Sequence, residues 1–196
     1  NIIFFFVSIL IFIFSIGPDK EVISLIGVGI VWTLLLLSST LSLRKFYQDD
    51  FENGNLLIMH LSGFSYGFIA ILKTFSHFLF VQVPFLLSIP IACVLLNIAN
   101  DKLIYLFTSF AIGSFILSCL SSISASMNLI NQRNFLLGSL IVMVFSVPVI
   151  IFSVGLININ DNFNSLISIL FGILLIVFAI NPWASGLCLK LSLENN

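Results

Sequence analysis

Charged residues are scarce in this sequence. It has seven lysines and arginines and eight aspartates and glutamates among 196 residues, which is 8% of the chain, whereas a soluble domain carries about 25%. Hydrophobic residues make up 60%, and the mean hydropathy is +1.23. A globule in water could not cover its surface with so few charges, so the lipid bilayer must be the solvent for most of the chain. The net charge is −1, so no basic field is present to attract nucleic acid.

The sequence also lacks the motifs of common catalytic and cofactor sites. It contains no GxxxxGKS/T phosphate loop, no HExxH motif and no Ser-His-Asp grouping, and Cys93, Cys119 and Cys188 show no CxxC spacing. An ion-coupled carrier normally needs a carboxylate in mid-membrane, and the long apolar segments contain none. We therefore predict a membrane protein that is not an enzyme and has no cofactor, metal or nucleotide site of its own.

Six long apolar segments are present, and their lengths approach or exceed the roughly 20 residues that a helix needs to cross the hydrocarbon layer. Barrel strands would be about 10 residues long with alternating hydrophobicity, and that pattern is absent. The sequence therefore predicts an all-α integral membrane protein, with a single transmembrane domain over residues 1–196 and six transmembrane helices. The predicted segments are Asn1–Ile16, Val22–Leu43, Phe64–Ile98, Leu103–Met127, Phe135–Leu156 and Leu166–Leu189.

Two features qualify this reading. The third segment is too long for one straight span and contains Pro84 and Pro90, which predict a kink because each removes a backbone donor. The sequence begins at Asn1 and enters an apolar run at once, so we expect that a short N-terminal element is missing from it.

Basic residues predict the orientation. With six spans, the loop 44–62, the turn 128–134 and the C-terminus share one side, which the positive-inside bias assigns to the cytoplasm. That side holds five basic residues, Arg44, Lys45, Lys73, Arg133 and Lys190, against Lys20 and Lys102 on the other.

The loop 44–62, RKFYQDDFENGNLLIMHLS, is the longest polar stretch of the chain. Leu43, Phe46 and Tyr47 form an apolar stripe at helical spacing, and Gly54 breaks the helix. The pattern predicts a short helix on the membrane surface, a glycine turn and a return to the bilayer. Such an element is either a docking site for a cytoplasmic protein or a solvated loop without a partner.

Two further patterns are weaker. A ladder of serines recurs every fourth residue in the fourth segment, which predicts close helix packing, with a homodimer face or the wall of a polar path as alternatives. The ladder consists of Ser114, Ser118, Ser122 and Ser126.

His60 and His77 are the only histidines, and they are weak candidates for haem ligands. A haem-binding membrane electron-transfer protein and a stand-alone secondary transporter therefore stay open as alternative functions.

The block from residue 17 to residue 56 resembles the CcmB family, the cytochrome c maturation protein B or haem exporter protein B. The matching features in that block are Gly17-Pro18, Gly29-x-x-Trp32, Leu41-x-Leu43, Phe46, Asp50, Gly54 and Leu56. Outside it, Leu72-Lys73, His77, Pro182 and Leu189-Lys190 continue the likeness. The chain departs from the family pattern at Asn53 and Leu57, where the family tends to have acidic residues. The resemblance also implies an amphipathic N-terminal segment, which we expect to be missing from this sequence.

The resemblance implies a bundle like that of ABC-2-type permeases, in a membrane subunit without ATPase activity. Its implied partners are a CcmA-like ATPase, CcmC-like and CcmD-like membrane subunits and the CcmE-like haem chaperone, with two copies of this chain as a homodimer. ATP would be bound by the partner and haem handled by the complex, which couples ATP hydrolysis to release of the haem-loaded chaperone. The implied location is the bacterial inner membrane, with the mitochondrial inner membrane as the alternative.

On this hypothesis the loop 44–62 is where the ATPase docks. Its aromatic rings would anchor the partner, its carboxylates would set the register, and its glycine would make the turn, with an arginine in the turn 128–134 as a second contact. The predicted docking residues are Phe46, Asp49, Asp50, Phe51, Glu52, Gly54 and Arg133.

Overall fold

The computed structural model describes residues 2–17, 19–99, 103–130, 135–158 and 163–194, and within these ranges the regular structure is helical throughout. The first four helices are α1 (Ile2–Ile16), α2 (Lys20–Glu52), α3 (Asn55–Leu61) and α4 (Tyr66–His77). A π-helical segment (Phe78–Gln82) joins α4 to α5 (Val83–Leu95). The last three are α6 (Leu103–Ile130), α7 (Phe135–Asn158) and α8 (Phe163–Glu194).

The predicted all-helical permease-type membrane fold is confirmed, although the count of six spans is not. Among the described residues, five helices are long and apolar enough to cross a membrane, when Tyr66–Leu95 is taken as one helix. The sixth apolar helix, α1, has 15 residues and reaches only about 22 Å, short of the roughly 30 Å of hydrocarbon.

The second helix continues past the predicted end of the second apolar segment. The predicted separate surface helix is wrong, because residues 44–52 continue α2. This stretch contains no glycine or proline, and it buries Phe46 and Tyr47 against the bundle. With 33 residues, α2 extends about 50 Å, so its end projects well beyond the hydrocarbon layer. The predicted turn is present at Gly54, where φ is 73°.

The interruption expected in the third segment takes the form of the π-helical segment. Val83 N–H donates to Phe78 O, five residues back. The wider turn lies directly before Pro84, which has no N–H to give to the residue four positions earlier. Pro90 lies inside α5, so the chain passes it without a second break.

Helix α6 lies at the centre of the bundle and packs against α2, α4, α7 and α8. The largest buried side chain, Trp32 of α2, packs on Phe110 of α6 with ring centroids 4.4 Å apart. Gly113, one turn further along α6, lies directly against the Trp32 indole. The absence of a side chain at residue 113 is therefore what lets α2 and α6 approach each other here.

The backbones of α4 and α8 are in close contact where the two helices cross. A Cβ added at Gly186 would lie 3.0 Å from the backbone nitrogen of Gly67, and one added at Gly67 would lie 3.1 Å from the carbonyl oxygen of Pro182. Small residues allow such an approach, in the manner of GxxxG packing in membranes.

Replacing Gly186 with alanine is expected to destabilise the bundle by about 1 kcal/mol, because a backbone must yield by a few tenths of an ångström. Thermal unfolding of the purified protein measures the effect. Gly172→Ala, on the same helix with open space around the new methyl group, is the matched control and should be neutral or stabilising. Equal stability of the two variants would contradict the close crossing.

Candidate functional site

The end of the bundle that carries residues 44–62 contains a second hydrophobic cluster, separate from the main core. It joins the last turns of α2 to α3, α4, α6 and α8 through Phe46, Tyr47, Leu56, Ile69, Ala70, Ala125, Leu129 and Leu189. The segment predicted to dock a partner, which includes α3, is therefore packed onto three other helices, α4, α6 and α8.

The Asp50 carboxylate is bound by other residues of the same chain. Its carboxylate forms an ion pair with Lys73 of α4, and Asn55 Nδ2 donates to its Oδ1 over 3.2 Å. The Asp50 and Lys73 side chains are 22% and 23% exposed. This pair ties the end of α2 to the second turn of α4, across the loop that connects them.

Phe46 does not present its ring to a partner. The residue is 6% exposed, and its ring lies 4.7 Å from those of both Tyr47 and His77, centroid to centroid. Phe51 is half-buried at the edge of the same cluster. Both aromatic residues were expected to anchor the ATPase, and the structure uses Phe46 to anchor α2 to α4.

Two other predicted docking residues do face outward. Asp49 and Glu52 are exposed, and Gln48 Nε2 donates to Glu52 Oε1 over 2.7 Å. Helix α3, which follows α2 directly in the chain, has Leu57, Ile58 and Leu61 exposed. Gly54 supplies the turn between α2 and α3, while Arg133 lies outside the described residues.

A chain of buried polar side chains begins directly beneath this end of the bundle. His77 bridges two helices, since its Nε2 lies 2.8 Å from Ser42 Oγ and its Nδ1 lies 3.1 Å from Ser118 Oγ. At the end of the π-helical segment that follows α4, Gln82 Nε2 donates to Ser39 Oγ over 2.6 Å. These contacts link α2, α4 and α6 through hydrogen bonds inside an apolar bundle.

The second branch of the polar chain runs from α2 through α6 to α8 and back to α4. Tyr47 Oη lies 2.8 Å from Ser122 Oγ, which lies 3.2 Å from Ser185 Oγ. Ser185 donates to Asn181 Oδ1 over 2.9 Å, and Asn181 Nδ2 donates to Thr74 Oγ1, also over 2.9 Å. In hydrocarbon, where no water is available, such bonds fix the register of four helices.

The serine ladder of α6 is fully buried within one chain. Ser118 and Ser122 join the polar chain, while Ser114 and Ser126 donate to carbonyl groups of their own helix. A homodimer face would need these side chains at the surface of the bundle, where the structure does not place them.

His77 is not free to act as a simple haem ligand, whereas the hydrogen bond described for His60 engages one of its two ring nitrogens. Both ring nitrogens of His77 contact hydroxyl groups, as described above. His60 is half-buried, stacks on Tyr66 with ring centroids 4.0 Å apart, and its Nδ1 lies 3.0 Å from Phe64 O. Within the described residues, no group of three or more His, Cys, Asp or Glu side chains could hold a metal ion.

Sequence reasoning missed Thr74, Gln82 and Asn181. A signal was present, because a lone amide in a long apolar run is costly to bury and needs a partner in the membrane. The ladder of four serines was a stronger sequence pattern than these single residues.

Comparison with known proteins adds a consistent result over the whole chain. The family model described as "CcmB protein" matches residues 1–192. Heme exporter protein B of Haemophilus influenzae is 30% identical over 195 residues, which cover 98% of this chain and 88% of the relative. The protein of the same name from Rhodobacter capsulatus is 27% identical, over 97% of this chain and 89% of the relative. With the family model matched from the first residue to beyond Leu189, this chain belongs to the CcmB family.

Proposed function

We propose that this chain is the membrane subunit of an ATP-driven complex that handles haem for cytochrome c maturation. Two of its relatives carry the name Heme exporter protein B, and its helices fit a multi-pass membrane protein. The ATPase activity belongs to a CcmA-like partner, with CcmC-like and CcmD-like membrane subunits and a CcmE-like haem chaperone completing the assembly. The complex lies in the bacterial inner membrane, with residues 44–62 on the cytoplasmic side and two copies of this chain for two ATPases.

The docking proposal rests on a difference between neighbouring carboxylates. Asp50 is bound inside the chain to Lys73, whereas Asp49 and Glu52 on the same helix end are exposed. The exposed pair, together with Leu57, Ile58 and Leu61 of α3, forms what we call the docking patch. The patch combines acidic and apolar side chains on a helix end that is packed rigidly onto the bundle.

Coupling follows from the contacts behind the docking patch. When two ATPase subunits close on ATP, they push the end of α2 and helix α3. The Asp50–Lys73 pair and the His77 hydrogen bonds then transmit that displacement to α4 and α6. This movement of α4 and α6 leads to release of the haem-loaded chaperone.

Reversing both exposed charges, with Asp49→Lys and Glu52→Lys, is expected to lower co-purification of the ATPase at least tenfold. Like charges placed together across an interface cost several kcal/mol, and 1.4 kcal/mol is already a factor of ten. Quantitative pull-down of the ATPase with the tagged membrane complex measures the loss.

Glu194→Lys is the matched control. Glu194 is also an exposed carboxylate, and it lies at the same end of the bundle, beyond Leu189 of the second cluster. Its reversal should leave ATPase recovery unchanged. Normal recovery with the double reversal, in a complex that still contains its other membrane subunits, would refute docking at this patch.

A further inference from the structure

A groove on the outside of the bundle lies apart from the docking patch, although it shares Lys73 with the Asp50–Lys73 pair. It lies between the start of α1, the last turns of α2 and the rod formed by α4, the π-helical segment and α5. Its volume is about 860 Å³. Its walls include Ile3, Lys45, Lys73, Phe80, Val81 and Phe85.

The groove is charged at one end and apolar at the other. Lys45 lies near the projecting end of α2, and Lys73 lies in the second turn of α4. Phe85 follows Lys73 by twelve residues, so it lies about 18 Å deeper along the rod. One leaflet of hydrocarbon is about 15 Å thick, half of the roughly 30 Å core. The groove thus runs from the membrane surface through the depth of a single leaflet.

The two ammonium groups retain capacity to bind an anion. Each ammonium has three donors, and Lys73 directs one of them to Asp50. Lys45 is exposed, and no carboxylate of the described residues forms an ion pair with it. In a chain with seven basic residues in all, two that converge on one groove make a local basic pocket.

The groove opens sideways, toward lipid. Ile3 and Phe80 are 79% and 80% exposed on its rim, and such apolar side chains at this depth face acyl chains. Basic pockets between membrane helices bind anionic headgroups. The polarity, depth and lateral opening all match an amphiphile that arrives from the bilayer.

We propose that this groove is a binding site for an anionic phospholipid. Its phosphate lies between Lys45 and Lys73, and one acyl chain lies along Phe80, Val81 and Phe85. Haem is a poorer occupant, although His77 also lines the groove, because both of its ring nitrogens already contact Ser42 and Ser118. This inference is independent of ATPase docking, since it concerns the lipid-facing side of the bundle.

The test uses the protein in nanodiscs of phosphatidylglycerol and phosphatidylcholine in equal amounts, followed by native mass spectrometry. The wild-type protein should retain phosphatidylglycerol about fivefold over phosphatidylcholine, the ratio expected for one lysine near the membrane surface, because Asp50 already balances the charge of Lys73 and leaves Lys45 as the uncompensated charge. Lys45→Gln should reduce that ratio to about one, and Lys45→Arg should restore it. Lys190→Gln, which removes one exposed charge at the same end of the bundle, should keep the wild-type ratio.

Equal retention of the two lipids by the wild-type protein overturns the site. So does an unchanged ratio in Lys45→Gln, or the same loss in Lys190→Gln. Haem or a protein segment in the groove would also produce no excess of phosphatidylglycerol. None of these outcomes bears on ATPase recovery, so failure here is distinguishable from failure of the docking proposal.

Discussion

Replacing Gly113 with alanine is expected to destabilise the protein by about 1–3 kcal/mol, the usual range for overpacking a tight core. The new methyl group would overlap the six-membered ring of the Trp32 indole. That ring has little room to retreat, because Trp32 is fully buried and its ring packs at a tilt against that of Phe110. The loss of stability is measured by heating the purified protein in nanodiscs and recording the fraction of protein that stays monodisperse at each temperature.

A second substitution separates this steric effect from a general loss of helix packing. Trp32→Phe replaces the indole with a shorter phenyl ring, which withdraws the outer indole atoms near residue 113, and it sacrifices no hydrogen bond, since the indole Nε1 has no partner among the described residues. Trp32→Phe alone leaves a cavity and lowers stability, yet combined with Gly113→Ala it should recover part of the loss. Gly29→Ala on α2, where a Cβ meets nothing within 4 Å, controls for the substitution itself.

The two effects should therefore be strongly non-additive, as expected for residues in direct contact. Additive losses in the double variant, or a neutral Gly113→Ala, would show that α2 and α6 do not approach each other at this point.

Much of the fold was predictable because the bilayer imposes it. Segments of about 20 apolar residues must be helices in lipid, so the class and most of the helix positions followed from the sequence. The helix boundaries were less predictable, since residues 44–52 are polar enough to suggest a break in the helix. Burial of Phe46 and Tyr47 decided in favour of a continuous α2, and that burial depends on α4 and α6.

The candidate site was predictable in location and only partly in detail. The polarity of residues 44–62 indicated where the site lies. The sequence alone does not show which of two adjacent carboxylates is exposed and which is paired. Helical phase separates them, because Asp49 points outward and Asp50 points toward Lys73, 23 residues away. Partners so distant along the chain, including His77 with Ser42, carry no local signal and emerge only once the helices are packed.

The second large effect is expected at the Asp50–Lys73 pair. Removing one partner from a buried pair costs 3–5 kcal/mol, whereas an exposed pair contributes about 0–1 kcal/mol. With both side chains roughly one-fifth exposed, Asp50→Asn or Lys73→Gln should cost about 1–3 kcal/mol. If the pair also transmits ATPase movement to α4, each single variant should lower c-type cytochrome assembly about tenfold. Asp49→Asn, which removes the neighbouring exposed carboxylate, should leave stability unchanged.

The charge-swapped variant, Asp50→Lys with Lys73→Asp, decides what Asp50 does. An internal tie predicts that the swap restores most of the stability and part of the assembly, with a deficit because Asn55 can no longer donate to a carboxylate at residue 50. A direct contact between Asp50 and the ATPase predicts the opposite, since the swap would then present a lysine where the partner expects a carboxylate. A swap as defective as the single variants would refute the internal tie, and with it the proposed route of force from α2 to α4.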